Sequence, residues 1–304
     1  MVMLSRVADS LFWMGRYLER AEQIARQLEV TRDLLVDLTE PDPAGAQAEW
    51  QATLSSLSTP NLSIERLVFD ATEQSSLAGC IGQARENARQ VREVIANEMW
   101  EQINRTHWSL IETRDTDQDE TATTRILTET VSLVASWDGL TDSSMDRGQA
   151  WIFLKLGKWI ERLNRIGQAM TARLALLTDN ESTTKENIVL VVMLKSLGAL
   201  EAYRKLSPTR IDKRGTLEFI MFQSSFPRSL RFCAVEAEEL VRNLSRNCQN
   251  LDASVGRSFG KLASRLDHSD FDEVINEGLE GFIYSVIKDT NRASSLLQRA
   301  YFLQ

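Results

Sequence analysis

The sequence predicts an all-α fold, a bundle of long helices, from three observations. Apolar residues recur at alternating three- and four-residue spacings over long stretches. Only 5 prolines and 14 glycines punctuate 304 residues, too few for the frequent turns of a sheet protein. No run of strict apolar/polar alternation competes with the helical pattern.

The first helix is expected from the capping residue Ser5 to about Leu38. Its seam is Leu4, Val7, Leu11, Met14, Leu18, Ala21, Ala25, Leu28 and Leu35, broken once by Arg32, and it stops in the Pro41/Pro43/Gly45 segment. A shorter helix near 50–57 ends at Pro60. Ser75 or Ser76 caps the next one, whose seam of Leu77, Ile81, Ala84, Ala88, Val91 and Ile95 carries it to about Asn104. Polar residues 113–123 read as a connection, followed by a helix over 125–137 and a loop over 139–148. The following seam is Leu156, Ile160, Leu163, Gly167, Met170, Leu174 and Leu177. Later helices fit 185–205, 227–247, 254–266 and 271–301. Pro227 would stand in a first turn, where its missing N–H costs nothing.

With 43% apolar and 26% charged residues the chain is globular, and its length suits two ordinary domains or one large one. A net charge of −8 argues against general nucleic-acid binding, which needs a basic surplus. Cys80, Cys233 and Cys248 form no C-x-x-C pair, a reduced pattern rather than a zinc site or disulfide framework. The amino terminus carries Arg6 and Asp9 and does not read as a signal peptide. The most apolar stretch, 188–200, contains Lys195 and is too short to span a bilayer. A cytoplasmic protein with no membrane segment is expected. P-loop, G-x-G-x-x-G, H-E-x-x-H and G-x-S-x-G signatures are all missing, and neither His107 nor His268 sits in the E-x-x-H of a ferritin-like di-iron site.

The chain also matches itself. Gly15-Arg16-Tyr17-Leu18-Glu19-Arg20 aligns with Gly157-Lys158-Trp159-Ile160-Glu161-Arg162, and the seam continues with Ile24 on Ile166, Leu28 on Met170 and Leu35 on Leu177. Leu54-Ser55-Ser56-Leu57 then meets Leu194-Lys195-Ser196-Leu197, and Gln74-Ser75-Ser76-Leu77 meets Gln223-Ser224-Ser225-Phe226. These matches predict two duplicated helical halves, 1–141 and 142–304, packed about a pseudo-two-fold axis, or the same duplication within one compact domain. The alternative is that bundle helices resemble one another by composition. If the halves do meet, their shared surface is a natural place for a site.

Four sets of residues are candidates for ligand binding. Glu19-Arg20 and Glu161-Arg162 form either a solvated face or a polar cluster holding a ligand or ion. On a helix, Arg16 can reach Glu19, Glu22 can reach Arg26, and Glu161 can reach Lys158 and Arg165. Arg85, Arg89 and Arg92, with Glu86 and Asn87 among them, make a basic stripe whose forks suit carboxylates and phosphates, unless acidic residues of the first helix take them up. Arg228 and Arg231 make a shorter stripe. Glu98 and Glu201 extend apolar seams, with Arg204 beyond the second, so each is expected buried against a partner, as a structural ion pair or as a ligand or metal site.

Several of these blocks resemble the bacterial alpha-E proteins. They are the opening run from Met3 to Glu22, Ala84-Arg85-Glu86-Asn87-Ala88-Arg89 with Glu98-Met99-Trp100-Glu101, and Leu156 to Arg162. Ala199-Leu200-Glu201-Ala202-Tyr203-Arg204 and Phe226-Pro227-Arg228-Ser229-Leu230-Arg231-Phe232-Cys233 complete the set. The resemblance implies an all-helical partner of a circularly permuted ATP-grasp protein. A transglutaminase-like protease and a proteasome-like hydrolase are often associated with it. ATP-grasp enzymes join a carboxylate to an amine through an acyl-phosphate, so the implied setting is synthesis or modification of a small peptide. Lys158 and Asn164 depart from Arg16 and Glu22 of the first copy, so the two motifs need not be equal.

These expectations converge on an accessory or ligand-binding component of an amide-ligase system, its ER clusters and arginine stripes holding an acidic peptide or metabolite or docking the ligase. Two alternatives stay open. One is an enzyme acting on the ligase product through Glu19, Glu161, Glu98 or Glu201 as acid/base or metal-ligating groups. The other is a helical interaction scaffold. The sequence names no cofactor.

Overall fold

The amino-terminal seam folds as one unbroken helix, α1 (Ser5–Leu38), whose buried stripe runs from Ala8 to Thr31. The structure is a computed structural model that describes residues 3–38, 40, 42–59, 61–116, 119–177, 184–207, 210–247 and 253–302. Among these it forms fourteen helices and no strand. Cys248, Pro41 and Pro60 lie outside the described residues.

Local chemistry sets many of the ends. Helix α2 (Pro43–Leu57) starts with proline in its first turn and Asp42 capping the Gly45 amide, and Ser63 caps α3 (Ile64–Phe69). Ser76 caps α4 (Leu77–Gln90), which is followed by α5 (Asn97–Thr116) and by α6 (Glu120–Ser144) behind its cap Asp119. Helix α7 (Gln149–Leu174) is buried on nearly every side, which makes it the centre of the bundle together with α1. Helices α8 (Thr184–Ser196), α9 (Leu200–Leu206), α10 (Lys213–Phe222), α11 (Leu230–Asn247), α12 (Ala253–His268), α13 (Phe271–Glu277) and α14 (Leu279–Tyr301) complete the chain. No helix among the described residues is long and apolar enough to cross a membrane.

Several expected boundaries move. The helix expected from Ser76 to Asn104 is two helices. Val91 leaves helical geometry at φ −122°, and the turn that follows still buries Val91 and Ile95. Apolar spacing alone does not separate such a turn from a continuing helix. The span 185–205 breaks at Gly198, whose φ of +61° is left-handed, and 271–301 breaks at Gly278, φ +111°. Ser229, not Pro227, opens α11, its hydroxyl accepting from the Phe232 amide at 3.0 Å. Residues 139–144, expected as loop, continue α6, and α3 and α10 were not expected at all.

Contacts run in parallel through the chain. Helix α1 packs on α4 and α6, and α7 on α11 and α14; α5 bridges α4 and α6 as α12 bridges α11 and α14. Ser76 donates to the Asp70 carbonyl and Cys80 to that of Gln74, while Ser229 donates to Gln223 and Cys233 to Pro227. Those bonds pair Ser76 with Ser229, so the sequence match of Gln74–Leu77 to Gln223–Phe226 is out of register with the hydrogen bonding.

At the centre α1 and α7 touch backbone to backbone. A Cβ on Gly15 would run into the Leu154 carbonyl, and one on Gly157 into the Phe12 carbonyl. Replacing either glycine by alanine is expected to cost about 1–3 kcal/mol in urea unfolding, because the obstacle is main chain and cannot swing away. Gly82→Ala meets open space within α4 and is expected to be neutral or to stabilise by roughly 0.5–1 kcal/mol, which makes it the control.

Candidate functional site at the crossing of α1 and α7

One turn beyond the glycine contact, each helix hands its carboxylate to the other. Arg162 grips Glu19 with two bonds of 2.6 Å, and Arg20 grips Glu161 with bonds of 2.7 and 3.2 Å. The exchange keeps one constant sequence offset, relating Gly15 to Gly157, Glu19 to Glu161 and Arg20 to Arg162. Both carboxylates are 1% exposed, so the solvated-face alternative is ruled out for them. Bidentate pairing and burial make these strong, directional bonds.

More arginines gather around each pair. Arg16 reaches across to Glu161 at 2.8 Å instead of along its own helix to Glu19, and Arg165 adds a bond at 2.9 Å. Arg228, placed by the turn before α11, bonds Glu22 at 2.5 Å and lies 3.4 Å from Glu19, while Arg26 bonds Glu22 at 2.8 Å. Burial would raise the Glu161 carboxyl, but Arg16, Arg165 and Arg20 outweigh it and hold it well below the usual carboxylate range. Burial likewise opposes Arg228, Arg162 and Arg26 at Glu22, and the guanidiniums win, holding it at about 2.

The motif on α7 departs from that on α1 where the sequence departs. Lys158 turns from Glu161 to Asp138 of α6 at 2.5 Å, and Asn164 bonds Asn291 of α14 at 3.1 Å. Burial lowers the Lys158 amine, and repulsion from Arg162 adds to it. Beside Glu19, Lys158 and Trp137 lies a cavity of about 10 Å³, room for roughly one water. The cysteines next to each pair are inert: burial pushes Cys80 and Cys233 up to about 12.

The remaining candidates do not converge here. Glu98, Glu201 and Arg204 are exposed, contrary to the buried seam positions expected of the two glutamates. The helix breaks at Val91 and Gly198 precede α5 and α9, so the apolar seams that were to carry these side chains inward do not continue into them. Arg89 pairs with Glu86 on the surface at 2.7 Å, and Asn87 donates back to the Gln83 carbonyl. Arg231 pairs with Asp267 at 2.7 Å. Arg85 bonds Asn104 of α5, not an acid of α1. Among the described residues no group of His, Cys, Asp and Glu is arranged to hold a metal ion. Arg16, Glu22, Arg26 and Arg165 belong to the cluster, although their spacing pointed only to contacts along their own helices.

Two measurements follow from this geometry. Glu19→Gln strips buried Arg162 of its bidentate partner, leaving Glu22 at 3.8 Å, and is expected to cost about 3–5 kcal/mol in chemical unfolding; adding Arg162→Met is expected to return part of that loss. Because the folded Glu22 carboxyl lies below its ordinary 4.5, its contribution is complete above that pH and disappears as the pH falls towards about 2. Stability is therefore expected to decline across that window in acid titration, with a shallower slope in Glu22→Gln.

The family model Alpha-E, described as "A predicted alpha-helical domain with a conserved ER motif", matches residues 3–302. Similar curated proteins include an uncharacterized protein of Mycobacterium bovis and one of Mycobacterium tuberculosis. Each is 24% identical over 309 residues, a span that covers 90% of this chain and 34% of the relative. The chain thus spans about a third of the length of these relatives. No solved structure matches it significantly. Matched almost from end to end by that model, the chain belongs to the Alpha-E family.

Proposed function

We propose that this chain is an accessory helical module of an ATP-grasp-linked peptide or amide synthesis or modification system, and that its two ER motifs clamp the structure together instead of acting on a substrate. What supports it is the exchange at the crossing: Glu19 and Glu161 spend their oxygens on guanidiniums of the opposite helix, inside the core. A general acid or base works best when its pKa lies near the working pH, and Glu161 is held far below it by three arginines. A metal ligand needs free lone pairs, which these bonds occupy.

The packing of α4 and α6 on α1, matched by that of α11 and α14 on α7, and the local hydrogen bonds of Ser76 and Cys80, matched by those of Ser229 and Cys233, support an origin by internal duplication. The ATP-grasp setting, a cytoplasmic location and the link to a transglutaminase-like protease come from the alpha-E resemblance. The greater length of the mycobacterial relatives agrees with a module that works beside further sequence.

Calorimetric titration with the ATP-grasp protein encoded beside this chain, with and without ATP, tests the proposal. Saturable association is expected, and Glu161→Gln, held below its lowered unfolding midpoint, is expected to keep it. Absence of association by the wild-type chain would reject the accessory role. Loss of turnover in a folded Glu161→Gln variant that still associates would return the ER carboxylate to catalysis.

A further inference from the structure

We propose that the face of α4 and α5 around Arg85, Arg92, Trp100 and Trp108 is a docking surface for an acidic peptide segment, one that carries side-chain carboxylates close together. This rests on the accessory role proposed above and assigns it a surface and a class of partner.

Trp100, Asn104 and Trp108 recur every fourth residue and so share one face of α5. That face meets Arg85 of α4. Asn104 accepts the Arg85 Nε–H at 2.8 Å, and the guanidinium centre lies 5.5 Å from the Trp100 ring and 5.7 Å from that of Trp108. Arg92, in the turn after α4, lies 4.9 Å from Trp100. Two guanidiniums thus flank one indole. With Nε anchored, the outer edge of Arg85 is left in the fork geometry that binds a carboxylate bidentately.

Neither arginine has a carboxylate within ion-pair distance among the described residues, and neighbouring Glu86 is taken by Arg89 at 2.7 Å. This happens on a chain with 43 acidic against 35 basic residues, where carboxylates are the commoner charge. Trp108 is 54% exposed, an indole face beside the guanidinium that offers an apolar stacking surface. A peptide uses all of these features: carboxylates for the two forks, and planar amide and apolar groups for the indoles. A small inorganic anion would engage the forks alone. A nucleic acid presents a continuous run of phosphates, which calls for a wider basic surface than two guanidiniums.

The test is quenching of tryptophan fluorescence by a short oligoglutamate peptide at low salt, with inorganic phosphate at matched charge as the second arm. Saturable quenching by the peptide is expected, together with an affinity loss of about tenfold or more in each of Arg85→Gln and Arg92→Gln. Arg85→Lys is expected to fall between, and Trp108→Phe to remove most of the signal. Arg92 and Trp108 are exposed and Arg85 half-buried, so circular dichroism and an unchanged unfolding midpoint verify folding. No saturable quenching up to ~1 mM peptide, wild-type affinity in the two glutamine variants, or equal competition by phosphate would each overturn the proposal. Association with the ATP-grasp protein that survives both glutamine substitutions would overturn this surface while leaving the accessory role standing.

Discussion

A carboxylate drawn into a helical core must bring its counter-charge with it, and here each central helix carries the counter-charge of the other. Glu19 of α1 depends on Arg162 of α7, and Glu161 of α7 on Arg20 of α1. The glycine contact makes this geometry reachable. With no side chain between the helices at Gly15 and Gly157, the main chains close up and the guanidiniums one turn later lie within bonding distance. The surrounding helices can be read as layers added to that crossing, with α4 and α6 laid on α1, and α11 and α14 on α7.

The cluster is not neutral. Glu19, Glu22 and Glu161 face Arg16, Arg20, Arg26, Arg162, Arg165 and Arg228, leaving a formal surplus of positive charge in a mostly buried place. Aromatic faces absorb part of it. Arg16 sits 4.8 Å from the Trp13 ring, Arg20 5.5 Å from Tyr17, and Arg162 5.0 Å from Trp159. Residual exposure of Arg16, Arg26 and Arg228 relieves the rest. The pair of Glu49 and Arg173 shows the contrast: fully buried, at a closest approach of 3.6 Å, it lets burial lower the arginine and raise the acid. Counter-charge at contact distance holds the Glu161 and Glu22 carboxyls below the usual carboxylate range instead.

The helical class and the two central helices were legible because three-four apolar spacing over a long seam has few other solutions. Breaks within a seam were not. Val91 and Ile95 stay buried across a turn, and Gly198 and Gly278 end helices through a left-handed or otherwise non-helical φ that no periodicity encodes. Misplacing the first two of these breaks put Glu98 and Glu201 inside when they lie outside. At the crossing, the repeated Gly–x–x–x–Glu–Arg pattern singled out residues that the fold brings together, but sequence spacing describes neighbours along one helix. The preference of Arg16 for Glu161 over Glu19 is a property of the crossing, invisible until both helices are placed.

The exchange of carboxylates also bears on how the chain leaves the ribosome. Helix α1 emerges before α7, and the arginine that grips Glu19 lies in α7, on the far side of five intervening helices. At usual rates of synthesis that arginine follows about 7 to 30 s later. Until then Glu19 keeps its hydration, and the apolar stripe of α1 cannot close over it without stranding a charge. Electrostatics thus set an order for closure, since Glu19 can be buried at low cost only once Arg162 has arrived.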